Sequence, residues 1–141
     1  MTSEANRPRE PAVLERIDPP KLGASPGYSY AVVAQGARTV YTAGAVPLDG
    51  SGALVGAGDL HAQVEQTVSN LLIALQAAGA GVADVVKTSV FVVASRRETL
   101  GQAWRYLESS GLTGPPSTLL GVTFLGFDGQ LIEIEAIAVL P

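Results

Sequence analysis

From Leu131 to Leu140 the chain reads LIEIEAIAVL, an alternation with a period of two. Successive side chains of an extended segment point to opposite faces, so Ile132, Ile134, Ala136, Ala138 and Leu140 share one side. Glu133, Glu135, Ile137 and Val139 share the other. The first side is wholly apolar and belongs under helices. The second mixes two carboxylates with two branched aliphatic groups, too apolar to leave in water and too polar for a sealed interior. A chain that ends this way is constrained to a sheet with one face covered by its own helices, and other subunits are the expected cover of the opposite face.

The helices that supply the first cover are legible upstream. Asp59 stands at an N-cap position before Leu60, Val64, Val68, Leu71, Leu72 and Leu75, a stripe at helical spacing that Gly79 ends. Ser95 and Glu98 have the S-x-x-E spacing of a capping box and open a second helix, with Leu100, Ala103, Trp104 and Leu107 inward and Gly111 beyond its end. Gly101 costs that helix about 1 kcal/mol relative to alanine. Between the two, Asp84 to Ala94 (DVVKTSVFVVA) is dominated by β-branched residues and reads as a central strand, with Lys87, Ser89, Phe91 and Val93 on its less apolar side. Tyr28–Ala34 and Thr39–Val46 flank Gln35-Gly36-Ala37-Arg38 and predict a β-hairpin. After Pro115-Pro116, the stretch from Ser117 to Phe124 is extended and Phe127-Asp128-Gly129-Gln130 is a turn. The order ββαβαββ gives an α+β protein: one mixed sheet with two helices on one face.

Composition narrows the function. With 141 residues the chain is one domain, large enough to bury roughly 68% of its unfolded surface without staples. There is no cysteine, so no disulfide, thiolate nucleophile or cysteine-bound metal is available. Hydrophobic residues make up 47% and charged residues 16%, and the net charge is −4. Nucleic-acid binders neutralise phosphates with Lys and Arg, so nucleic acid is not an expected partner. Every apolar run is interrupted well short of the roughly 18 residues a membrane span needs, so no membrane partner is expected either. Residues 1–26 hold five of the nine prolines and no apolar block of signal-peptide type, and read as a flexible tail of a cytoplasmic protein ahead of a domain at 27–141. His61 is the single histidine, which excludes a histidine-rich metal site.

Several blocks carry a more specific likeness: Tyr28-Ser29-Tyr30-Ala31, Tyr41-Thr42-Ala43-Gly44-Ala45-Val46-Pro47, Asn70-Leu71, Asp84-Val85-Val86-Lys87-Thr88, Ser117-Thr118 and Ile132-Glu133-Ile134-Glu135-Ala136-Ile137-Ala138. In this order they resemble the RidA (YjgF) family. The resemblance implies a chorismate-mutase-like fold, a homotrimer whose sheets pack into a barrel, and clefts between subunits that bind a small metabolite. It further implies hydrolysis of enamine or imine intermediates to a 2-oxo acid and ammonia, with no metal or cofactor.

Such a reaction needs an anchor for the substrate carboxylate, a positioned water and a proton-shuttling group. By resemblance Tyr28 lines the cleft, Gly44 and Thr118 present backbone groups to ligand or water, Ser117 neighbours the substrate, and Glu135 orders the water. A carboxyl buried between subunits would have its pKa raised by desolvation. The chain departs from the family pattern where an arginine precedes the Ser-Thr pair, because Pro116 stands there. Ala45 and Gly101 depart as well, in place of Gln and Asn. Arg105, one helical turn beyond Gly101, is a candidate replacement cation. The expected activity is therefore weakened or redirected enamine/imine hydrolysis, and a non-catalytic metabolite-binding or regulatory trimer is the alternative.

Overall fold

The computed structural model describes residues 12–24 and 27–141. Among these residues six strands and two α-helices follow in the order β1 (Val13–Ile17), β2 (Ala31–Gln35), β3 (Arg38–Tyr41), α1 (Leu60–Ala77), β4 (Val85–Val93), α2 (Arg97–Ser110), β5 (Ser117–Val122) and β6 (Ile132–Leu140), with a 3-10 turn at Val82–Asp84 before β4. β3, β6, β4 and β5 form one sheet in that spatial order, and β1 and β2 form a separate antiparallel ribbon. β6 runs antiparallel to both β3 and β4, and β5 runs parallel to β4, so β3, β4 and β5 share a direction. The helical crossovers from β3 to β4 and from β4 to β5 step the same way along the sheet, and α1 and α2 pack together on one face of it.

Two expectations about the strands are corrected. The segments around Gln35-Gly36-Ala37-Arg38 do not pair with each other: β2 pairs with β1, and β3 pairs with the end of β6. Gly36 is pressed against β6, where an added Cβ would come within 2.5 Å of Val139 Cγ1 and 2.6 Å of the Leu140 carbonyl oxygen. The Ala37 N–H donates to that carbonyl, at 3.0 Å. The glycine thus serves a crossing from one sheet to another rather than a hairpin turn. Residues 13–17, read as part of a flexible tail, form strand β1; residues 1–11, 25 and 26 of that segment lie outside the described residues.

The first helix begins and ends as its sequence predicts. Asp59 accepts a hydrogen bond from the Ala62 N–H at 3.0 Å. At the other end Ala80 N–H donates to Leu75 O at 2.8 Å and Gly79 N–H to Gln76 O at 2.9 Å, with Gly79 left-handed at φ +82°. This is a Schellman closure, which glycine enters without steric cost. α2 differs at its start: Arg96 is its N-cap with no side-chain cap bond, so the Ser95–Glu98 box does not form. The helix opens one residue later than the box requires, which puts Glu98 a position too early for the reciprocal bond. Gly111 ends α2 in the left-handed conformation at φ +80°.

The core lies between the helices and the sheet. Val64, Leu71 and Leu75 of α1, Ala103 and Leu107 of α2, and Ile132, Ile134, Ala136 and Ala138 of β6 are all buried. A register shift between Val85 and Lys87 turns β4 so that Val85, Thr88, Val90 and Val92 all face inward. Gln63 is fully buried and satisfied: its amide donates to Gly56 O and Gly129 O and accepts from the Leu131 N–H. Among the described residues no helix lies over the opposite face. Glu135 is exposed there, as are Tyr41 and Leu120 at 74% and 49%.

Candidate functional site

β5 is an edge strand, and its first two residues point to opposite sides of the sheet. On the helix side the Thr88 hydroxyl donates to Ser117 Oγ at 2.8 Å; on the open side Lys87 Nζ donates to Thr118 Oγ1 at 2.7 Å. The turn before β5 is tied to the segment bearing Tyr28, since Ser29 N–H donates to Gly114 O at 2.8 Å. The Tyr28 ring meets Trp104 edge to face, with centroids 6.3 Å apart, and Tyr30 in the same manner at 5.7 Å. Tyr28, Gly101, Trp104, Ser117, Thr118 and Leu119 line a cleft of about 480 Å³.

Pro116 contributes a backbone carbonyl, which accepts from the Thr88 N–H at 3.0 Å. Its side chain carries no donor. Arg105 is exposed on α2, with Nη1 3.7 Å from the position a Cβ would take at Gly101, and so reaches the cleft wall. Arg96 is paired with Glu98 outside the cleft.

A second group forms at the other side of the sheet. Ala45 and Ile134 exchange both backbone hydrogen bonds, at 2.7 and 3.1 Å, which clamps the segment after β3 onto β6. Gly44 consequently lies against the Glu133 side chain, and a Cβ there would overlap its carboxylate. The other oxygen of that carboxylate accepts from Gln130 Nε2 at 3.2 Å.

Glu135 lines neither the cleft nor the contact with Gly44. It is the cross-strand partner of Ser89 and lines a shallow depression of about 120 Å³ with Tyr41, Thr42, Lys87, Ala136 and Ile137. Through Ser89 it shares a row with Thr118 across three strands. The structure thus brings Tyr28, Ser117 and Thr118 together in one cleft, sets Arg105 beside Gly101 at its wall without making it a lining residue, and leaves Gly44 and Glu135 elsewhere. Sequence reasoning passed over Glu133 and Lys87 as site residues. For Lys87 the available signal was its place on the open side of β4; for Glu133 periodicity gave none, because both carboxylates have the same parity.

His61 lies on the helical layer, stacked on Tyr106 with centroids 4.4 Å apart and with Glu65 at 3.5 Å. Among the described residues no cluster of His, Cys, Asp and Glu could hold a metal ion, and no helix is long and apolar enough to cross a membrane.

Comparison with known proteins adds the lineage. Residues 20–140 match the family model described as Endoribonuclease L-PSP. The chain is 35% identical over 120 residues to the RutC family protein slr0709 of Synechocystis, covering 81% of this chain and 86% of that one. It is 36% identical over 102 residues to the 2-iminobutanoate/2-iminopropanoate deaminase of Salmonella typhimurium, covering 71% and 78%. The crystal structure of YyfB, a Rid-family protein of Yersinia pestis, superposes with a TM-score of 0.79 at 36% identity, over 90% of this chain and 98% of that one. On sequence and fold together, the chain belongs to the RidA (YjgF) family.

Proposed function

We propose that this protein hydrolyses enamine and imine intermediates to a 2-oxo acid and ammonia, as a homotrimer with its active clefts between subunits. The observation that carries this reading is the division of the candidate residues between two sides of one sheet. Tyr28, Ser117 and Thr118 gather at β5, whereas Gly44 and Glu133 gather at β3 and β6. Strands lie about 4.8 Å apart, so the two groups are separated by roughly 10 to 14 Å, too far for one small substrate to touch both within a subunit. A head-to-tail ring brings the β5 side of one copy against the β3–β6 side of the next, and the same contact covers the open face.

In the completed cleft, Tyr28 and Trp104 form an apolar wall and Ser117 and Thr118 offer polar groups. The ammonium of Lys87, held by Thr118, together with the guanidinium of Arg105, supplies positive charge that Pro116 cannot. An enamine first takes a proton at its β-carbon and gives one up from nitrogen; water then adds to the C=N carbon while one of its protons passes through a carboxylate to the nitrogen, and the remaining hydroxyl proton follows the same route as the C–N bond breaks, ammonia leaves and the carbonyl forms. The role that the family resemblance gave to Glu135 passes in this reading to Glu133, because Glu133 is the carboxylate set against Gly44. The likeness to the 2-iminobutanoate/2-iminopropanoate deaminase of Salmonella typhimurium supports the reaction class.

The test is to generate 2-aminoacrylate or 2-iminobutyrate in situ and follow release of the 2-oxo acid. A protein-dependent rate, together with a trimer in sedimentation, is expected. Pro116 favours a second reading, a binding trimer without turnover; saturable metabolite binding with no acceleration of any imine would establish it instead.

A further inference from the structure

Gly101 sits in the second turn of α2, and nothing in the backbone or the packing calls for glycine there. Its φ is not positive, and among the described residues, beyond its chain neighbours and the backbone of its own helix, the one heavy atom an added Cβ would meet within 4 Å is Arg105 Nη1 of the next turn, at 3.7 Å. A mid-helix glycine weakens a helix relative to any other ordinary residue except proline. Most other glycines of this chain stand where a left-handed turn or a close approach such as Gly36 to Val139 calls for them; at Gly101 the feature the described residues offer is the cleft, which this residue lines beside Tyr28, Trp104 and Leu119.

We propose that Gly101 is a specificity-determining residue, which by withholding a side chain opens the aromatic end of the cleft to 2-imino acids bearing an aromatic side chain. The inference rests on reading the cleft as the hydrolytic site. The edge-to-face pair of Tyr28 and Trp104, in a cleft that Leu119 also lines, offers the apolar surface on which a third ring packs. Arg105, reaching over Gly101, sets a cation at the same wall and suits an anionic ligand.

The experiment compares the parent protein with Gly101→Ala and Gly101→Leu. Calorimetric titration with phenylpyruvate and pyruvate measures binding of an aromatic and a methyl product. Imines generated from phenylalanine and alanine by an amino-acid oxidase measure kcat/KM for the matching substrates. The parent is expected to prefer the aromatic member of each pair. Gly101→Leu is expected to lower the aromatic-to-methyl ratio at least tenfold in both, while the melting temperature of Gly101→Ala rises because the helix gains a better former. An unchanged ratio in Gly101→Leu, or no aromatic preference in the parent, overturns the assignment even if imines are hydrolysed. Absence of any hydrolysis with the tenfold loss of phenylpyruvate affinity intact overturns the proposed reaction and leaves Gly101 as the determinant of what the cleft binds.

Discussion

The Glu133 carboxylate occupies the space that a side chain would need at Gly44. Glycine here leaves room for a neighbour, and the segment cannot retreat because Ala45 is hydrogen-bonded to Ile134 in both directions. Gly44→Ala is therefore expected to displace the carboxylate, destabilising the fold by about 1 to 3 kcal/mol, as overpacking does. Thermal unfolding and turnover measured on the same preparation check it: both fall together.

Glu133 and Glu135 differ by two residues and share a face, yet Glu133 abuts Gly44 and Glu135 faces Ser89. General acid–base groups typically contribute about 10²- to 10⁴-fold. Glu133→Gln is expected to lose a factor of that order in kcat, and Glu135→Gln less than tenfold. Paired turnover measurements decide, and a larger loss at Glu135 would return the role to that residue.

Lys87 is held at 2.7 Å from Thr118 Oγ1. Replacing it by methionine keeps the length of the stem and removes a charged contact of about 1.5 to 3 kcal/mol. The expected signature is a rise in KM for carboxylate-bearing imines of roughly ten- to a hundredfold, with a smaller change for an imine lacking the carboxylate.

Asp49 ties together the loop after Pro47. The Ser51 hydroxyl, and then the backbone N–H groups of Ala53 and Ser51, donate to its carboxylate and hold its pKa below the ordinary 3.8. A depressed carboxyl pKa contributes stability above the unfolded value, and that contribution is lost as pH falls through the folded value. Asp49→Asn should therefore melt below the parent at neutral pH, with the gap closing in acid below pH 3.8. A gap that widened on acidification would reverse the sign.

The parts of this molecule that sequence revealed are those set by local periodicity. Leu60 to Leu75 marked α1 because a helical stripe with an aspartate before it and a glycine after it has few other solutions, and the last ten residues declared both faces of β6. What escaped depends on partners distant along the chain. Tyr41 pairs with Ile137, so no local turn chemistry could show that β3 leaves β2 for the C-terminal strand. β1 is only five residues, with Glu15 and Arg16 interrupting its apolar side chains, and its pairing with β2 is invisible without the fold. The site divided the same way. Ser117 and Thr118 were found as neighbours in sequence, whereas Glu133 acquires its setting only when Gly44 is laid on it.

The split of the proposed machinery across two sides of a sheet has a genetic consequence. A copy carrying Thr118→Ala is damaged only where it offers its β5 side, and a copy carrying Glu133→Gln only where it offers β6. Refolded together, two such inactive proteins would regenerate intact seams wherever the sound side of one meets the sound side of the other, so a mixture would regain activity that neither parent has.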